Sequence, residues 1–108
     1  MRILLDECVP RPLAREIVGH DIQTIHELGW NGKKNGELPA LMETAGFEVL
    51  LTVDQNLQFQ QNLAGSTVAV LIMKARSNRL TDLAPMISKI LTALATIQRG
   101  EINVDYPE

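Results

Sequence analysis

Apolar and polar positions alternate between two rhythms along the 108-residue chain. Arg2 to Leu5 is a short apolar run closed by the acids Asp6 and Glu7, the pattern of a buried strand. In VPRPLAREIVGH, Pro10 and Pro12 suit a helix start. Leu13, Ile17 and Val18 then recur at helical spacing, and Gly19 provides a stop. DIQTI, Asp21 to Ile25, alternates as a strand does when one face is less buried. HELGWNGKKNG carries Gly29, Gly32 and Gly36 with Asn31 and Asn35, and is the longest break in periodicity, hence a loop.

Asn35 is placed to cap a helix beginning near Gly36, with Pro39 in its first turn. Leu38, Leu41, Met42 and Ala45 form its inward stripe, and Gly46 ends it. Val49 to Thr52 predicts a third strand, and Asp54 to Leu63 a short surface helix closed by Gly65. TVAVLIM, Thr67 to Met73, is a continuous β-branched and apolar run of the kind found in a central strand buried on both faces. After the polar KARSNR, Leu83, Met86, Ile87, Ile90, Leu91, Leu94 and Ile97 predict one long amphipathic helix over Leu80 to Gln98. Residues 101–108 add a short edge strand or a tail. Alternating strands and helices imply an α/β domain: a three-layer α/β/α sandwich on a mostly parallel sheet of about four strands, joined by right-handed crossovers.

Composition narrows the function. The length fits a single domain over residues 1–108 with one site, and 45% hydrophobic with 21% charged residues is an ordinary globular balance. A net charge of -3 excludes a protein that coats nucleic acid by bulk charge, so any such contact is local. The single Cys8 forms no internal disulfide, and the chain has neither an apolar run of roughly 18 to 20 residues nor a signal-peptide pattern. A cytoplasmic, membrane-free protein is the expectation.

The acids at strand ends carry the chemistry. In an open α/β sheet the loops leaving the carboxyl ends of the strands share one edge, where ligands bind. Asp6, Glu7 and Asp54 fall there, and Glu37 lies at the same level if its helix runs antiparallel to the strands. Read singly, Asp6 and Asp54 are helix caps and Glu37 complements a helix dipole. Read together, the carboxylates repel unless they recruit a cation, and Mg²⁺ or Mn²⁺ suits hard oxygen donors. His20 and His26 lack zinc-motif spacing and read as structural, and Cys8 as a small core residue. Two metals about 3.5 to 4 Å apart would activate water and stabilise the leaving oxygen of a phosphodiester. Lys33, Lys34, Lys74, Arg76 and Arg79, with Arg11 and Arg15, read together as a cationic rim that holds the phosphates of RNA or DNA, and read singly as solvated surface charge. Trp30 either stacks a base or anchors its loop.

The segments ILLDECVPRPL, GHDIQTIHELGW, NGELPALMETAGFEVLLTVDQNL and AVLIMKARSNRL, together covering roughly residues 1 to 80, resemble the PIN-like proteins of the DUF5615 family, related to VapC-type toxin ribonucleases. That resemblance implies a PIN-like fold, a metal-dependent nuclease site and often a cognate antitoxin protein. Carried onto this chain, Asp6 stands in the first acidic motif, Glu37 at the helix start and Asp54 in the LLT-x-D motif, with Glu7 beside the first. Many relatives carry acids where this chain has Asn35 and Asn56. An amide oxygen still ligates a hard cation but brings no charge, so metal affinity falls. The expectation is a Mg²⁺- or Mn²⁺-dependent ribonuclease of toxin type: Asp6, Glu37 and Asp54 ligate metal, and Glu7 and Asn56 assist. One alternative is a catalytically silent PIN-like module that only binds a partner protein. A second is a receiver-like domain phosphorylated on Asp54 with Lys74 nearby. Apolar surface on the long helix beyond the needs of one core points to a homodimer.

Overall fold

The computed structural model describes residues 1–32, 37–53 and 67–105. Five strands, β1 (Arg2–Leu5), β2 (Asp21–Thr24), β3 (Val49–Thr52), β4 (Ala69–Met73) and β5 (Ile102–Asp105), form one sheet in the order β2-β1-β3-β4-β5. Every neighbouring pair is parallel. The sheet exceeds the expected four strands because the C-terminal INVD pairs with β4, setting Val70 against Ile102 and Met73 against Asp105.

Continuous apolar runs make the central strands, as burial on both faces requires. All four residues of β3 and all five of β4 are buried. Alternation divides their side chains between two cores. Ile3, Leu5, Val49, Leu51, Ala69, Leu71 and Met73 pack on one face against Leu13 and Ile17, and against Leu83, Met86, Ile90 and Leu94 from the C-terminal helices. Leu4, Leu50, Val70 and Ile72 pack on the other against Leu38, Met42 and Phe47. The result is the three-layer α/β architecture that the periodicity predicts.

The helices depart from expectation in instructive ways. Residues 11–16 form a 3-10 helix, with Pro12 in its first turn. α1 spans Leu38–Ala45, so it starts two residues later than Gly36, with Pro39 in its first turn. Gly46 ends it at φ 82°, a left-handed conformation that glycine adopts without steric cost. Asn35, expected to cap α1, and the surface helix expected over Asp54 to Leu63 lie outside the described residues.

The long C-terminal helix is broken. α2 (Leu80–Leu83) and α3 (Ile87–Thr96) are separated by a 3-10 turn, Ala84–Met86, that contains Pro85. Proline has no N–H for the helical ladder, and its ring collides with the carbonyl four residues back, so regular helix stops there. The apolar stripe survives the break: Leu83, Met86, Ile90 and Leu94 are buried in the protein's own core, and Ile87, Leu91 and Ile97 are partly buried against it. Met1 and Val18 are the exposed large hydrophobics among the described residues.

The connections also differ in hand. The β1-to-β2 and β4-to-β5 connections pack on the same face while travelling in opposite directions across the sheet. The crossovers therefore cannot all be right-handed.

Candidate functional site

Strand order reverses between β1 and β3: the connection from β1 leads outward to β2, and α1 then carries the chain across β1 to β3. In such sheets the crevice at the carboxyl ends of the two diverging strands is the favoured ligand position. Asp6 occupies it. Its backbone N–H donates to the Leu51 carbonyl at 3.0 Å, carrying the β1–β3 ladder one residue beyond the strand.

Hydrogen bonds from Thr52, Glu7 and Cys8 hold the Asp6 side chain. The hydroxyl of fully buried Thr52 donates to Oδ2 at 2.7 Å, and the Glu7 backbone N–H donates to Oδ1 at 2.8 Å. The Cys8 Sγ lies 3.8 Å from Oδ2 and 3.6 Å from the Thr52 hydroxyl. Burial pushes the Cys8 thiol above its ordinary value of 9.0, against hydrogen bonds from Val53 and Thr52 that lower it. The thiol is therefore protonated at neutral pH and unsuited to nucleophilic attack, as its reading as a small core residue requires.

That shift has a measurable sign. A raised folded value means that both states keep the proton at lower pH, while above about 9 the unfolded chain releases it first. Stability of the metal-free protein is expected to fall as pH rises from there through the folded value. Cys8→Ala should flatten this alkaline slope in urea unfolding curves, and an unchanged slope would contradict the burial argument.

Asp6 opens on a cavity of about 380 Å³ shared with Glu7, Val9, Pro10, Arg11, Thr24, Ile25, His26 and Asn31. Its walls are tied together. Glu7 Oε1 accepts from the Gly32 N–H at 2.9 Å, and the Arg11 guanidinium lies 3.6 Å from the Glu27 carboxylate. Glu27 is fixed in turn by Thr24, whose hydroxyl accepts from the Glu27 N–H at 3.0 Å and lies 3.2 Å from its Oε1.

Glu37 is not among the residues lining this cavity. Although α1 runs antiparallel to the strands, so that Glu37 precedes it at the carboxyl edge, its side chain lines an apolar groove of about 500 Å³ with Trp30, Ala40, Leu41, Thr44 and Ala45. Glu37 is the residue before the first turn of α1, with helical backbone angles of φ -89° and ψ -28°. Trp30 meets Phe47 edge-on, ring centroids 6.0 Å apart, in agreement with the anchoring role for this residue. Asp54, Asn56, Lys33 and Lys34 lie outside the described residues. Among those that are described, no three His, Cys, Asp or Glu side chains gather as a metal-binding group.

Lys74, Arg76 and Arg79 follow β4 at the same edge and are exposed. Asn78 ties their loop to the Asp6 loop by donating from Nδ2 to the Cys8 carbonyl at 3.0 Å. Sequence reasoning did not place Thr52 against Asp6, nor His26 and Asn31 along its cavity. The signal for Thr52 was available: it ends a wholly apolar strand, where a buried hydroxyl needs an acceptor.

No described helix is long and apolar enough to cross a membrane. No protein-family model, curated protein or solved structure matches the chain.

Proposed function

We propose that the protein is a divalent-metal-dependent ribonuclease of PIN-like, toxin type, hydrolysing RNA phosphodiesters at the Asp6 edge and silenced by an antitoxin protein. The observation that carries this reading is the Asp6 carboxylate itself. It stands at the reversal of a parallel sheet, with both oxygens oriented by Thr52 and Glu7, beside a cavity of mixed polar and apolar lining. A carboxylate fixed in this way is oriented before any ligand arrives, and preorganisation of that kind costs no rearrangement during reaction.

The donor chemistry fits Mg²⁺ or Mn²⁺ in kind. Asp6 and Glu7 present carboxylate oxygens in one cavity, and the neighbouring thiol keeps its proton. Asp6 and Glu7 would hold the ion, with Asp54 and Asn56 as the remaining oxygen donors of this reading; Glu37 is left out because it lines the other groove. Such an ion supplies an activated water and offsets charge on the phosphoryl oxygens. The protein's own part is to keep Asp6 Oδ1 and Oδ2 aimed, and to steady the RNA backbone with Lys74, Arg76 and Arg79.

A second reading, a silent module that binds only a partner protein, is favoured by the lack of a three-residue ligand group among the described residues. One experiment separates the two. The purified protein is incubated with single-stranded RNA and Mg²⁺ or Mn²⁺, with and without chelator, and metal binding is followed by calorimetry. Metal-dependent cleavage is the expected result. Neither ion binding nor cleavage would leave the module.

A further inference from the structure

The cavity beside Asp6 is mixed in charge. Asp6 and Glu7 bring carboxylates to it, while Arg11, His26 and Asn31 bring a cation, an imidazole and an amide to the same space. We propose that Arg11, His26 and Asn31 seat a phosphate of the single-stranded RNA substrate, so that the strand enters on the β1/β2 side of the site; this rests on the ribonuclease reading above.

Three features support the seat. First, the turn that carries His26 is fixed from several directions: Ile25 N–H donates to the Leu5 carbonyl at 3.1 Å, Gly29 N–H to the His26 carbonyl at 3.1 Å and Trp30 N–H to the Ile25 carbonyl at 3.0 Å. Exposed His26 therefore projects from a rigid support. Second, Glu27, on the same turn, holds Arg11 by its Nε at 3.6 Å. The guanidinium has five N–H donors in a planar fork, so this contact leaves others for the phosphate. Third, the Glu7–Gly32 bond joins the Glu7 carboxylate to the loop bearing Asn31. The volume of about 380 Å³ lies at the small end for ligand pockets, about 300 to 1,000 Å³, and suits one nucleotide unit rather than a duplex. Phosphate donors lining the same cavity as the carboxylates would set a phosphodiester beside Asp6 and Glu7.

The test measures binding without cleavage. A short fluorescein-labelled single-stranded RNA is titrated by anisotropy in chelator, across a range of salt concentrations, with wild type, Arg11→Gln, His26→Gln and, as a charge control at the opposite edge, Arg99→Gln. Arg11→Gln is expected to weaken binding about tenfold and His26→Gln about fivefold, the sizes of a charged and a neutral hydrogen bond. Arg11→Gln should also lower the slope of log affinity against log salt by about 0.7, one single-strand phosphate contact, a change that a merely structural role would not produce. Arg99→Gln should match wild type. Equal affinities and slopes in both cavity variants, or no binding by wild type, would overturn the seat. Inorganic phosphate binding as tightly as the RNA would assign these residues to a free anion and overturn the strand. Binding that depends on Arg11 and His26 in a protein that cleaves nothing with metal would support the seat while overturning the ribonuclease reading.

Discussion

Asp6→Asn is expected to lower metal-dependent RNA cleavage by about 100-fold or more while leaving the fold in place. The substitution keeps shape and removes one charge and one acceptor. In the wild type both carboxylate oxygens accept a hydrogen bond, from Thr52 and from the Glu7 N–H. The amide oxygen of Asn keeps one of these, and the Thr52 hydroxyl can turn to accept from the new amide nitrogen, so the cost in stability is about 1 kcal/mol. On the ribonuclease reading, a divalent cation would lose its most strongly oriented negative ligand. Initial cleavage rates in saturating Mg²⁺, measured beside circular dichroism and urea unfolding, separate the two effects. A folded variant that cleaves as fast as wild type would remove Asp6 from the chemistry and, with it, the ribonuclease reading.

The sheet was legible because burial on both faces leaves little choice of residue. RILL, VLLT and AVLIM could hardly form anything else at those lengths, and the alternation in DIQT marked a strand with one less buried face. The helices were less legible because their spacing says nothing about continuity. The stripe from Leu83 to Ile97 has helical period throughout, yet Pro85 interrupts it, and only a residue-by-residue reading of backbone donors would have found the break. Of the candidate site, the strand ending on an acid placed Asp6 at the carboxyl edge, since position along a parallel strand determines which edge a residue reaches. Glu37 was placed at the right edge, but level along a helix does not determine which face of it a side chain leaves from. Thr52, His26 and Asn31 escaped because hydroxyls, imidazoles and amides occur on every loop, and what singles these out is tertiary: a buried acceptor for Thr52 and a shared cavity for the other two.

Leu71→Ala carries the largest expected loss of stability, about 3 to 5 kcal/mol. Leu71 is fully buried in the middle of β4, paired in register with Leu51 on one side and Asn103 on the other. Its side chain packs in the cluster that joins the sheet to α2 and α3. Strands bonded on both flanks cannot move inward to fill the space, so the cavity should persist and the cost should fall in the upper part of the Leu→Ala range. Against a total of about 5 to 15 kcal/mol for a domain of this kind, the loss is roughly a fifth or more, and the melting temperature should drop by about 10 to 20 °C. Leu91→Ala provides the contrast. Leu91 is only partly buried at the border of the same cluster, so water can reach the vacated space and the expected cost is about 1 to 2 kcal/mol. Urea unfolding of the two variants with unchanged m-values would read the difference directly. The reverse order, with Leu91→Ala the more damaging, would mean that the helical layer rather than the sheet is the rigid part of the domain, and the Asp6 edge would then lack the stiff support on which its preorganised carboxylate depends.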